Sequence, residues 1–180
     1  MGGVRILEWL APDVPALAVD WEAVYREEMP RVFNYFRYRG FERATAEDLT
    51  SATFEKAWRA RDRYRRDRSA VSTWLLAIGR NVAIDHFRRS RPEVPLVEDA
   101  ATDEETPETA ARRAGQSRRL TELTRALPER ERELLALKYG ADATNRAIAT
   151  LTGLSESNVG TILHRTVVSL RSRWDEGGPQ

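Results

Sequence analysis

The chain has 180 residues, of which 32% are charged and 8% aromatic, and its formal net charge is +1. No apolar run approaches the ~18 residues of a membrane span, so membrane insertion is not expected. Cysteine is absent and the two histidines are far apart in sequence, which argues against disulfides, metal sites and any cofactor. The start of the chain lacks a convincing signal peptide, no motif points to an enzyme, and a cytoplasmic protein fits best.

The small net charge hides a strong segregation along the chain. Residues 1–53 carry a net charge of −3, residues 54–91 +7, residues 92–116 −5 and residues 117–174 +4. Two basic blocks separated by an acidic one indicate two modules that face a polyanion, joined by a tether that does not itself lie on nucleic acid. Ordinary surface charge is the alternative.

The first predicted helix follows an N-terminal arm, residues 1–19, that shows no clear period. From Asp20 onward the apolar residues recur at helical spacing. Pro30 lies inside this run and predicts a kink or a split. Gly40 suits the turn after the helix.

The second predicted helix covers AEDLTSATFEKAWRARDRY. Thr45 is its predicted N-cap, with Asp48 taking the place of Glu in a capping box. One apolar line runs through Leu49 and a second through Phe54 and Trp58. Two apolar lines indicate that one packs on the core and the other meets a partner, although burial of one wide face explains the pattern equally well.

The stretch from Arg61 to Arg91 carries the clearest nucleic-acid signature. A basic loop with one aromatic residue, Tyr64, leads into a predicted helix that begins apolar and ends basic. Such a helix can stack on bases and hydrogen-bond to their edges. A half-buried helix with a solvated basic end is an equally good interpretation of the spacing. At about 100° per residue, one stripe of this helix contains Trp74, Asn81, Asp85 and Arg88.

Residues 92–116 have the composition of a linker, with three prolines, seven acidic residues and no aromatic. Pro92 should end the preceding helix, because proline disfavours helix at its predecessor. We predict an acidic flexible tether, with any helix near its C-terminal end. Its 25 residues span at most about 80 Å. The two modules could therefore lie two duplex turns, about 70 Å, apart on one DNA.

The second module shows the pattern of a helix-turn-helix. Pro128 suits the first position of a helix that ends at Gly140. A short apolar helix, a tight turn centred on Gly153 and a longer helix capped by Ser155 then follow. A generic helical hairpin is the alternative.

The predicted fold is all-α, with two small helical domains joined by the acidic flexible linker, the second domain being the helix-turn-helix. The predicted boundaries are an arm at 1–19, a first domain at 20–91, a linker at 92–116, a second domain at 117–174 and a tail at 175–180.

Five segments in this order resemble the bacterial RNA polymerase sigma factors, specifically the small extracytoplasmic-function (ECF) group of the sigma-70 family. The segments are WEAVYREEMPRVFNYF, AEDLTSATFEKAWRARDRY, STWLLAIGRNVAIDHFRR, LPERERELLALKY and IATLTGLSESNVGTILHR. The resemblance covers about residues 20–92 and 117–174. It implies an alternative sigma factor that binds core RNA polymerase, recognises the −35 and −10 promoter elements and promotes DNA melting for transcription initiation.

The resemblance also implies where polymerase binds. The second helix matches the segment that docks on the clamp helices of the β′ subunit, and the β subunit is a further expected partner. The linker would thread through the polymerase. The residues implied in core polymerase binding are Asp48, Leu49, Thr53 and Lys56.

Promoter contacts are implied in both modules. Tyr64 matches the aromatic of a loop that captures a flipped −10 base, and Asn81 matches an amide of the same pocket. The full −10 set is Tyr64, Arg65, Arg66, Trp74, Asn81, Asp85, His86, Arg88 and Arg89. The full −35 set is Ser155, Ser157, Asn158, Gly160, Thr161, His164 and Arg165.

One position departs from the family pattern. Many members carry a basic side chain where this chain has Gly160, which puts the usual −35 preference in doubt. We expect regulation by a separate anti-sigma factor. A freestanding helix-turn-helix regulator is the competing class, but it leaves the basic aromatic stretch unexplained.

Overall fold

The computed structural model describes residues 19–89 and 107–176, and in these ranges the chain forms helices and turns without any strand. The first module contains three helices: α1 (Trp21–Tyr38), α2 (Arg43–Ala60) and α3 (Val71–Arg89), with a 3-10 turn, Arg61–Arg63, after α2. The second contains α4 (Pro107–Arg125), α5 (Glu129–Leu135), α6 (Asn145–Thr152) and α7 (Glu156–Glu176); a π-type turn, Ala136–Gly140, continues α5. The predicted all-α fold is confirmed.

α1 begins where the sequence predicts, whereas α2 begins earlier than predicted. Asp20 caps α1, because its carboxylate accepts from the backbone N–H groups of Glu22 and Ala23 at 3.1 and 3.0 Å. The helix runs unbroken through Pro30, so the predicted split is wrong. Thr45 is not the N-cap of α2. Gly40, at φ 94°, turns the chain early, and Glu42 takes the cap position without a side-chain bond.

The first module packs its three helices around a common core. Its most deeply buried apolar residues include Val32, Tyr35, Phe36, Ala46, Ala57, Leu75 and Ala83. Burying one large side chain of this kind stabilises the fold by about 1.5–3 kcal/mol. This core fixes the orientation of α2 and α3.

The helix-turn-helix of the second module is confirmed in its local detail. Thr144 caps α6 by accepting from the N–H of Ala147 at 3.1 Å. Gly153 ends α6 in the left-handed conformation, at φ 75°, where a side chain would be strained. Ser155 caps α7, since its hydroxyl accepts from the N–H of Asn158 at 3.2 Å. Pro128 lies at the N-cap of α5, one residue before the predicted position.

The predicted linker is partly helical. Residues 90–106 lie outside the described part of the chain, and so does the expectation that the linker is flexible there. From Pro107 the chain is helical, so α4 begins inside the predicted linker, ten residues before the predicted start of the second domain.

The two modules pack against each other. α1 lies against the Ala136–Gly140 turn, and α3 lies against α6. The buried apolar residues of both modules belong to one cluster. Of the described residues, the ones that join the modules by ion pairs are Arg39 with Glu129 and Arg80 with Glu133.

Candidate nucleic-acid and polymerase interface

α3 presents a polar and basic surface along its C-terminal half. Asn81, Arg88 and Arg89 are exposed, whereas Asp85 and His86 are half-buried. The Asp85 carboxylate lies 3.5 Å from the Lys56 ammonium of α2. Because both side chains are about half exposed, this pair contributes little stability, and either partner can turn to a ligand.

Tyr64 lies in an aromatic cluster with Trp21 and Trp74. Its ring centroid is 5.9 Å from that of Trp21 and 5.1 Å from that of Trp74. The phenol donates to the carbonyl of Ser69 at 3.0 Å, and partial burial raises the pKa of Tyr64, opposed by the nearby Arg66. This cluster fixes the loop before α3, and the sequence analysis missed the part that Trp21 plays in it.

Tyr64 and Asn81, predicted to share one base pocket, lie at different levels of α3. Tyr64 packs at the level of Trp74, and Asn81 lies seven residues further along α3. A helix rises about 1.5 Å per residue, so Asn81 is about 10 Å further along the axis.

The arginines of the basic loop differ in how free they are to bind a phosphate. Arg65 forms a bidentate pair with Asp67, at 3.1 and 3.2 Å, and this hydrogen bonding lowers the pKa of the Asp67 carboxyl. Arg66 is exposed and lines a groove with Tyr64 and Val71. A phosphate would reach Arg66 directly and would reach Arg65 by displacing Asp67.

The C-terminal end of α3 is fixed by aromatic contacts. Phe87 stacks on Phe41 with ring centroids 4.8 Å apart, and His86 meets Phe41 edge-on at 5.3 Å. The Arg39 guanidinium lies 5.3 Å from the Phe87 ring centroid. These contacts orient the exposed Arg88 and Arg89 that follow.

α2 exposes only part of the set predicted for polymerase binding. Asp48 and Lys56 are exposed, as expected. Leu49 and Thr53 are buried, at 7% and 0% exposure, and the Thr53 hydroxyl donates to the carbonyl of Leu49 at 2.7 Å. The expectation of direct polymerase contact is corrected for Leu49 and Thr53, because both side chains pack against the core and are not exposed.

A second apolar line of α2 does reach the surface. Trp58 is 55% exposed, with the Arg61 guanidinium 4.3 Å from its ring centroid. Phe54 is half-buried and meets Tyr25 of α1 at 4.8 Å. The two-face interpretation of this helix therefore describes the structure better than burial on one wide face.

The start of α7 is exposed on one side. Val159 and Leu163 pack inward, and the predicted base-reading side chains point outward. The exposed members of the −35 set are Ser155, Ser157, Asn158, Thr161, His164 and Arg165. Gly160 differs from them, because a Cβ there would lie 3.5 Å from the Asn145 amide nitrogen. It is half-buried at the crossing of α6 and α7.

Across residues 19–89 and 107–176, no acidic or histidine cluster has the arrangement of a metal site. No helix in those ranges is both long and apolar enough to cross a membrane.

The comparisons with known proteins agree on one family. Residues 24–93 match the model described as Sigma-70 region 2, and residues 117–170 match the model described as Sigma-70, region 4.

Known sigma factors are similar to this protein over most of its length. The ECF RNA polymerase sigma factor BldN of Streptomyces coelicolor is 29% identical over 151 residues, which cover 82% of this chain and 57% of BldN. The ECF RNA polymerase sigma factor SigM of Bacillus subtilis is 26% identical over 158 residues, covering 87% of this chain and 96% of SigM. The sigma factor RpoE of Bartonella quintana, solved with the anti-sigma factor NepR, has a TM-score of 0.71 at 16% identity, covering 88% of this chain and 99% of that chain.

Proposed function

Because this chain belongs to the sigma-70 family, in its ECF group, we propose that it acts as an alternative sigma factor that directs core RNA polymerase to its own set of promoters. It is a transcription regulator, with one module for the −10 element and one for the −35 element. The observation that supports this function is that two helices with exposed polar and basic faces, α3 and α7, lie on two modules that match regions 2 and 4 of the family.

The −10 element is the ligand of the first module. Tyr64 offers a π-face, and Asn81 offers a paired donor and acceptor about two helical turns away. Thermal opening of the duplex exposes bases, and contacts of this kind hold them against an unstacking cost of a few kcal/mol. Arg66, Arg88 and Arg89 attract the phosphates alongside.

The −35 element is the ligand of the second module. The first turns of a recognition helix reach base edges, which gives Asn158, Thr161 and Arg165 the direct contacts. Gly160 contributes no side chain and lies against Asn145, so the contacts that read the −35 sequence come from its exposed neighbours.

Core polymerase binds through α2. Asp48 and Lys56 offer charges of opposite sign on the exposed face, which suits a charged helical partner such as the β′ clamp helices. An anti-sigma factor is a further proposed partner. The fold agrees with that of a sigma factor solved with its anti-sigma factor.

The decisive experiment is run-off transcription from a genomic promoter library with core polymerase and this protein. Transcripts that depend on the protein, and share one pair of promoter elements, are the expected result. Binding to promoter DNA without binding to core polymerase would instead assign the chain to freestanding repressors or activators.

A further inference from the structure

The first module has a groove at the end where the chain enters it. Trp21 and Tyr25, on the first turns of α1, line this groove together with Phe54 and Trp58, on the last two turns of α2. We call these four residues the aromatic groove. Tyr25 meets Phe54 with ring centroids 4.8 Å apart, and the buried Leu75 of α3 lies beneath them.

The aromatic groove is apolar and open to solvent. Tyr25 and Trp58 are 53% and 55% exposed, although their rings belong to one continuous apolar surface. Exposed apolar patches of this kind mark interaction sites, and tryptophan and tyrosine are typical anchors in them. The acidic residue in the lining, Glu22, disfavours a phosphate backbone. The surface therefore fits an apolar peptide segment better than a nucleic acid.

The N-terminal arm, which precedes the described part of the chain, contains such a segment. Residues 4–10 read VRILEWL, and five of these seven side chains are apolar. Ile6, Leu7 and Leu10 recur at the three- and four-residue spacing of peptides that bind a groove through one helical face.

The connection between this segment and the groove is short. Residues 11–20 separate Leu10 from Trp21, the first residue that lines the groove. These ten residues span at most about 35 Å, and Tyr25 lies only about 6 Å further along α1. Pro12 and Pro15 disfavour a continuous helix from the segment into α1. The segment can therefore fold back onto the groove of its own chain.

The charges at the rim of the groove complement those of the segment. Glu22 provides a carboxylate, and the Arg61 guanidinium lies 4.3 Å from the ring centroid of Trp58. Residues 4–10 carry one charge of each sign, Arg5 and Glu8. Each charge of the segment thus has a rim residue of opposite sign to pair with.

We propose that residues 4–10 of the N-terminal arm dock in the aromatic groove of the same chain. The inference does not depend on the proposed function, because the four groove residues lie outside the sets assigned to polymerase and promoter contacts. A short flexible tether gives an effective concentration of about 1 mM. A segment with an intermolecular Kd of about 0.1 mM is then docked in about 90% of the molecules.

Trypsin cleavage after Arg5 measures this docking in the full chain. Arg5 is the only lysine or arginine before Arg26, so release of the N-terminal fragment reports on the arm alone. The isolated peptide of residues 1–18 gives the rate without a groove. Mass spectrometry at early times follows fragment release from both.

Three variants separate the groove from the arm and from the rest of the surface. Tyr25→Ser removes one wall of the groove. Tyr139→Ser, on the second module, is the matched control, because Tyr139 is also 53% exposed. Leu10→Asp changes the segment itself and is made in both the chain and the peptide. It decides the outcome if thermal unfolding shows that Tyr25→Ser has destabilised the fold.

We expect cleavage after Arg5 to be about tenfold slower in the full chain than in the peptide, because trypsin acts on the undocked fraction. Tyr25→Ser and Leu10→Asp should raise cleavage of the chain to the rate of the corresponding peptide. Tyr139→Ser should keep the protection. None of these rates should depend on protein concentration, because the docking is intramolecular.

Three results would overturn the proposal. Equal cleavage of the wild-type chain and the peptide would leave the groove to a separate partner. Protection that grows with protein concentration would assign the groove to the arm of a second copy of the chain. Protection that persists in both Tyr25→Ser and Leu10→Asp would place the arm on another surface.

Discussion

Tyr64 has two roles that its surroundings make separable. Its hydroxyl donates to Ser69, and its ring packs against Trp21 and Trp74. The first contact stabilises the loop, and the second positions the π-face that we propose stacks on a base. Truncation of Tyr64 to alanine removes both contacts. Two variants are therefore needed, one that removes only the hydroxyl and one that also removes the ring.

Tyr64→Phe should lower stability by about 1 kcal/mol, the value of one hydrogen bond, and leave promoter opening nearly intact. Tyr64→Ala should additionally reduce open-complex formation by about tenfold or more, because base–aromatic stacking contributes about 1–3 kcal/mol. The measurements are thermal unfolding and permanganate reactivity of promoter thymines. Equal reactivity in wild type and Tyr64→Ala would reduce this residue to a packing role.

Asn81 allows a cleaner test, because it is exposed on α3. Asn81→Ala should leave the melting temperature unchanged and reduce promoter opening by about five- to hundredfold, since a bidentate amide contact discriminates by about 1–3 kcal/mol. Core polymerase binding by pull-down serves as the control and should not change. A lowered melting temperature with normal opening would show a structural role instead.

At the scale of the element, α2 divides its residues between the core and the surface. Thr53 and Leu49 pack the helix against the core, while Asp48 and Lys56 are exposed to solvent. The buried pair thus positions the exposed pair without contacting a partner.

Exchanging the charges in the double variant Asp48→Lys and Lys56→Glu should weaken core polymerase binding while the fold persists. Lys56→Glu faces Asp85, but the pair is half exposed, so the cost in stability should stay below about 1 kcal/mol. The matched control exchanges Arg171→Glu and Asp175→Lys at the exposed end of α7. Undiminished pull-down by the α2 double variant would remove this face from the polymerase contact.

The start of α7 is set by nearby residues in the sequence, whereas the burial of Gly160 depends on a neighbouring helix. Ser155 and Gly153 set its start through turn and cap chemistry. Gly160 is different, because its half-buried position depends on Asn145 of the neighbouring helix. A Cβ at Gly160 would make an ordinary van der Waals contact with Asn145, so the helix crossing by itself does not require glycine at this position.

At the scale of the whole molecule, the two modules share one buried cluster and should unfold together. Arg80→Ala removes the guanidinium that pairs with Glu133, whose side chain is 13% exposed. This variant should destabilise the docked state by about 1–3 kcal/mol. The cost is smaller than for breaking a fully buried pair, because Arg80 itself is 29% exposed. Calorimetry should show one transition in the wild type and two, or one broadened, in the variant. Arg26→Ala, which removes an exposed pair with Glu22, is the control and should keep the single transition. Two transitions already in the wild type would contradict the shared core.

The sequence by itself determined the helical content, the cap at Ser155, the turn at Gly153 and the helix-turn-helix. These features depend on side chains within about four residues of the backbone that they satisfy, so spacing and residue type suffice. The family was recognised separately, from the resemblance of five segments in order to the sigma factors.

Only the tertiary structure decided which residues of these helices face inward and how the modules meet. Thr53 and Leu49 share a helix with exposed residues, and burial depends on what packs against them. Tyr64 packs with Trp21, more than forty residues earlier in the chain, and no sequence pattern predicted this contact. An ion pair joins Arg39 to Glu129 across 90 residues. Such contacts depend on how distant segments come together in the fold, and no local pattern in the sequence specifies that.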